Sequence, residues 1–326
     1  MHDTHSSPTL ASPATGDAAE IVVRDADTVQ RTLGHAISCV GVGRHSGVRV
    51  GLTLHPAPID SGVRFKRSDR PGSAALAACP DNLVIADQAL VLADADGTRI
   101  VGVEHVSAAL AMTGIDNALI EVSGPELPAM DGSAQPFVFL IECAGAVAQA
   151  APRRRPSPPP PIKLCRGDAT ARIDPMTPGR LTTDISRTTV ADVGPARHTV
   201  ALLPEALRQE LAAARQPLTV AALEAAQERG LMRGVSLENT LLLDAGGPRN
   251  PGGLRFADEP ARHANLLALG ALALLGGLPM VELATQGASH ALLARLLRQC
   301  GTSRATSVVT PALATTAASQ LVGHQA

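Results

Sequence analysis

Residues 151–162 read APRRRPSPPPPI. Six of these twelve positions are proline. Proline fixes φ and removes the backbone donor, so the stretch is barred from a helix interior or a central strand. It reads as a semi-rigid, extended, basic linker. A chain interrupted in this way must bury its apolar surface in two parts of similar size. The expected division is a tail over 1–26, a first domain over 27–150, the linker over 151–162, a second domain over 163–305 and a C-terminal tail over 306–326. The length of 326 residues agrees with about two domains.

Both parts show short, mixed elements. Val48, Val50, Leu52 and Leu54 alternate with polar or small residues, the pattern of a half-buried strand. Residues 99–103 suggest a strand feeding a helix over 104–112, which Thr113-Gly114 stops, and 117–122 returns as a strand. Asp131 is a plausible N-cap for a helix beginning at 136. In the second part, helices are expected over 203–213, 220–230, 260–275 and 289–299, with strands at 240–244 and 280–285. Strands and helices mixed in this way argue for α+β layers. With four Phe, no Trp and no Tyr, the cores must be filled by Ala and Leu.

Several function classes are set aside early. A net charge of −2 without a basic, aromatic-rich stripe gives no case for nucleic acid. The five cysteines form no CxxC pair, so neither a disulfide framework nor a cysteine zinc site is indicated. Residues 1–26 lack a basic start followed by an apolar block. The uncharged run 266–281 is shorter than the ~20 residues needed to span a bilayer. The expected setting is the cytoplasm.

The chemistry lies in a few titratable residues with apolar neighbours. Glu104 and His105 stand together in VGVEHVSAAL, where buried charge is costly unless paired or metal-bound. His45 sits in GVGRHSG, His263 in EPARHANLL and His290 in SHALLARLL. Taken singly, each reads equally as a capping or core histidine, and Glu104 as a first-turn carboxylate near the helix dipole.

Longer stretches decide between these readings. QRTLGHAISCVGVGRHSG (30–47), LTLHPAPIDSGVRFKRSD (52–69) and VEHVSAALAMTGIDNALIEVSGPELPAMDGSAQPFV (103–138) resemble the zinc-dependent UDP-3-O-acyl-N-acetylglucosamine deacetylase family of lipid A biosynthesis. So do RGVSLENTLLLD (233–244), NPGGLRFADEPARHANLL (250–267) and SHALLARLL (289–297). The resemblance implies two similar domains, each a small, mostly antiparallel sheet layered on two helices, with the helices facing each other across the active site. It implies an amide hydrolase that removes an acetyl group from a UDP-acyl-sugar. By the same resemblance, Glu104 is the general base, His105 and His263 are zinc ligands, and His290 supports the developing charge and the leaving amine. His45, Asp131 and Leu218 fall at substrate-side positions.

The chain departs from the family in its second half. The family pattern His-Lys-x-x-Asp is His263-Ala264-Asn265-Leu266-Leu267 here, so Leu267 stands where the third zinc ligand belongs. Arg-Thr-Phe-Gly is Arg215-Gln216-Pro217-Leu218, which removes the oxyanion threonine. Zinc is therefore expected to bind weakly or substoichiometrically. The resemblance leaves two outcomes: a working deacetylase, or a weak or inactive paralogue that binds a UDP-sugar or a partner protein in a regulatory role. A monomer is expected.

Overall fold

The computed structural model describes residues 28–190, 192–301 and the backbone of 306–308. The expected tails lie outside the described residues, except for 306–308.

Each half is built on a five-stranded sheet. In the first half these strands are β2 (Ile37–Val42), β3 (Arg49–Pro56), β4 (Val63–Arg67), β5 (Leu76–Ala77) and β9 (Ala118–Val122), in the order β2-β3-β9-β4-β5. In the second half they are β12 (Ile162–Arg166), β13 (Ala169–Pro175), β14 (Arg180–Asp184), β15 (Arg197–Ala201) and β19 (Val281–Gln286), in the order β12-β13-β19-β14-β15. In both sheets only one pairing is parallel, β4 with β9 and β14 with β19. The two halves therefore share one topology, although their sequences show no clear repeat.

The helices follow the same symmetry. α1 (Glu104–Thr113) leads into β9 and α2 (Gln135–Ala144) follows it. α5 (Glu259–Ala273) leads into β19 and α6 (His290–Cys300) follows it. Each half has one insertion before its first main helix. In the first half it is the small sheet β6 (Leu83–Val84), β7 (Val91–Ala93) and β8 (Arg99–Val101). In the second it is α3 (Pro204–Leu211), β16 (Pro217–Thr219), α4 (Val220–Gln227), β17 (Leu241–Asp244) and β18 (Gly247–Pro248). The protein is thus α+β, two similar units with their helical layers face to face.

α1 and α5 form the central crossing. Gly270 makes it possible, because a Cβ there would collide with the backbone carbonyl of Glu104. Val106, Ala109, Leu110, Leu266, Leu269 and Ala271 fill one continuous buried cluster around the crossing. Small residues on both helices let the backbones approach closely, in place of the aromatic packing this chain lacks. Gly114 ends α1 in the left-handed region (φ 69), as the Thr113-Gly114 pair suggests.

The proline-rich stretch takes extended backbone. Pro152 ends β10 (Ala146–Pro152), which pairs with β1 (Val29–Leu33), and β11 (Arg154–Pro156) pairs with β20 (Thr306–Val308). One expectation is corrected: Asp131 does not cap α2. The N-cap is Ala134, and Asp131 Oδ1 instead accepts from the Ser133 N–H and hydroxyl, with Ser133 Oγ accepting from the Gln135 N–H.

Candidate active site

The start of α1, the second turn of α5 and the start of α6 converge. Glu104 and His105 are the first two residues of α1, His263 is the fifth of α5, and His290 is the first of α6. Ser289 caps α6 by accepting from the Leu292 N–H (3.3 Å). Close packing of α1 on α5 brings His105 Nε2 and His263 Nε2 to 3.1 Å.

Glu104 is 3% exposed. Its Oε2 accepts from the Leu90 N–H (3.1 Å), and its Oε1 lies 3.7 Å from His290 Nε2. Burial pushes its carboxyl up to about 7, against the opposing pull of its own and the Leu90 backbone N–H. Burial also lowers His105 to about 3 and His290 to about 4, with the nearby Arg44 charge adding to both. His263 is lowered by burial and then by His105. All three imidazoles are neutral at pH 7, the form that binds metal. His290 Nδ1 faces the Asp87 carbonyl at 3.3 Å, which leaves Nε2 aimed at Glu104.

Two Nε2 atoms at this spacing suit one tetrahedral ion, since Zn–N bonds of roughly 2.0–2.1 Å put neighbouring ligands roughly 3.3 Å apart. The rest of the donor set is missing. Among the described residues, no group of three or more His, Cys, Asp or Glu could hold a metal. Leu267 and His263 line the same cavity of about 180 Å³, together with Gln216, Pro217, Thr183, Thr285 and His290. Position 267 therefore faces the site and brings no donor to it. Asn265 points elsewhere, to the Thr183 hydroxyl (2.5 Å) and to His198. The residues present do not fit the three-ligand set of catalytic zinc.

The other sequence candidates separate. His45 lines a second, smaller cavity with Glu104, His105 and Gln216, and its N–H donates to Glu126 Oε1 (2.7 Å). Burial lowers its pKa, with Glu126 opposing. Asp131 lines neither cavity and pairs with Arg255 Nη1 (2.8 Å), tying the two halves together. Leu218 lies half-buried on β16 and lines neither cavity; its neighbours Gln216 and Pro217 do.

Two features escaped sequence reasoning. Glu259 is fully buried, accepts from Arg215 Nε, Nη2 and N–H, and also from the Arg255 N–H. This clamp holds the turn before β16 against the start of α5. The second is Arg44, a buried residue that lines the smaller cavity. The only signal for either was a charged residue beside apolar or glycine neighbours.

A family model described as UDP-3-O-acyl N-acetylglycosamine deacetylase matches residues 30–301. A UDP-3-O-acyl-N-acetylglucosamine deacetylase of Anaeromyxobacter sp. is 42% identical over 273 residues, covering 83% of this chain and 88% of the relative. The protein of the same name from Thermosynechococcus vestitus is 39% identical over 277 residues, covering 85% and 95%. The deacetylase of Acidithiobacillus ferrooxidans is 39% identical over 271 residues, covering 82% and 88%. Agreement of this extent, running through both halves and over the converging Glu104, His105, His263 and His290, makes the chain a member of the UDP-3-O-acyl-N-acetylglucosamine deacetylase family.

Proposed function

We propose that the protein hydrolyses the N-acetyl amide of UDP-3-O-acyl-N-acetylglucosamine or a close relative. The observation that carries this reading is the meeting of Glu104 with His290 beside the His105–His263 pair, where the two cavities adjoin. Glu104 takes a proton from the attacking water while the amide carbon is held against it. The C–N bond then breaks, the proton passes to the leaving nitrogen with His290 placed to relay it, and acetate and the free amine result.

Zinc, which the family uses, would find only His105 and His263 here. We expect it to bind substoichiometrically and to leave readily to a mild chelator. No helix among the described residues is long and apolar enough to cross a membrane, and we expect a cytoplasmic monomer.

The test is acetate release from the UDP-acyl-sugar by wild type and by Glu104→Gln, each with and without added zinc. Release by wild type, reduced ~10²–10⁴-fold in Glu104→Gln, is the expected result. Binding of the substrate with no release under any condition would favour the second reading, an inactive regulatory relative. That reading rests on Leu267 at the ligand position and Gln216 at the position of the oxyanion threonine.

A further inference from the structure

Arg44 is a buried cationic side chain of this site that feels the charges of Glu104 and Glu126 but has guanidinium nitrogens no protein group accepts from. It sits in the turn between β2 and β3, which is clamped from both sides. Glu126 takes the N–H groups of His45 and Ser46, while the carbonyls of Arg44 and His45 accept from Gly234 and Arg233 in the other half (both 3.1 Å). The backbone therefore directs the side chain inward. Arg44 is 6% exposed, and its Nε and Nη2 are buried without a hydrogen-bond partner. None of the ion pairs among the described residues includes it. Glu126 is already occupied by two backbone donors, and Glu104 accepts from Leu90. A buried guanidinium with unused donors is costly unless something negative meets it.

What meets it must enter the cavity that Arg44 shares with Glu104, His105, Gln88, Gln216 and Asn239. That cavity is about 30 Å³, room for a group on the order of two water molecules. A carboxylate or an amide carbonyl fits, whereas a diphosphate does not. The first turn of α1 adjoins it, and a helix N-terminus favours negative charge.

We propose that Arg44 is the oxyanion-binding group of this site. It donates from Nε and Nη2 to the carbonyl oxygen as that oxygen gains charge, and to the acetate carboxylate before release. A fixed guanidinium thus stands in the same cavity as Gln216, the residue at the position of the family's oxyanion threonine. Its charge, beside His105 and His263, also opposes a dication there.

The oxyanion role rests on the deacetylase reading, but acetate binding can be read without turnover. The experiment titrates sodium acetate into the full-length, chelator-treated protein by calorimetry, for wild type, Arg44→Met and Arg44→Lys. Acetate should bind wild type, weaken ~10–100-fold in Arg44→Met and largely persist in Arg44→Lys. In the same Arg44→Met protein, zinc should bind more tightly in a competition assay. Far-UV circular dichroism checks that each variant is folded. Equal acetate affinity in folded wild type and Arg44→Met would overturn the proposal, as would inorganic pyrophosphate binding more tightly than acetate in an Arg44-dependent way. Acetate binding that depends on Arg44 without any deacetylation would leave the anion site standing and remove only the catalytic reading.

Discussion

Glu104 and Glu259 hold the same place in the two halves. Each is the first residue of the helix that precedes the central strand, and each is buried. Their surroundings differ in one respect. Glu259 accepts from two nitrogens of Arg215 and from two backbone N–H groups. Glu104 accepts from the Leu90 N–H and has the neutral His290 imidazole at 3.7 Å. A carboxylate whose lone pairs are all taken has nothing left to react with. One that is buried and under-satisfied holds a proton loosely near neutrality and can exchange it with water or substrate. The same residue at the same helix end is closed off by partners in one half and, in the proposed mechanism, left open for chemistry in the other.

Substituting each glutamate by its amide would break this comparison most directly. Glu104→Gln should cost ~10²–10⁴ in rate while the denaturation midpoint stays close to wild type. Glu259→Gln should do the reverse. Leaving the Arg215 charge buried and unpaired should cost about 3–5 kcal/mol of stability in a urea titration. An activity loss in Glu259→Gln without a stability loss would mean that the clamp is not structural.

The next test addresses the donor that the second half lacks at position 267. Leu267→Asp places a carboxylate one helical turn after His263, on the face that lines the cavity. Zinc affinity, measured by competition with a chromogenic chelator, should rise by more than ~100-fold, beyond the usual effect of losing an outer-shell contact. Without metal the buried carboxylate should lower stability by about 1 kcal/mol or more, and zinc should restore it by binding the folded state. Unchanged zinc affinity would show that position 267 does not reach the ion.

A smaller effect is expected at the crossing of the two helices. An exposed helical Gly→Ala change normally stabilises by about 1 kcal/mol. Gly270→Ala should instead destabilise by about 1–3 kcal/mol, because its methyl would press on the Glu104 carbonyl. It should also separate His105 from His263. The smallest change is Asp131→Asn, which breaks a partly exposed ion pair with Arg255 and should cost no more than about 1 kcal/mol.

Much of the local structure was legible in the chain. The alternation through Leu52 and Leu54, the Thr113-Gly114 stop and the last helix, expected over 289–299, all stand where the sequence suggests them. Strands such as Arg197–Ala201 and Ala146–Pro152 were not. Their residues are mostly polar or small, and they are held by neighbours rather than by their own hydrophobic pattern.

What the sequence determined by itself was the set of short-range facts. Glu104 is bonded to His105, His263 stands four residues from Leu267, and proline bars 151–162 from helix. These follow from covalent order and helical period and need no tertiary contact. Only the tertiary structure decided what each charge meets. Arg215 reaches Glu259 across 44 positions of chain, and His105 meets His263 across 158. Arg44 is driven inward by a turn that the other half clamps. A buried charge is stabilised or exposed by partners whose distance along the chain carries no information about their distance in space. That is why the satisfied glutamate and the under-satisfied one look alike until the fold is formed.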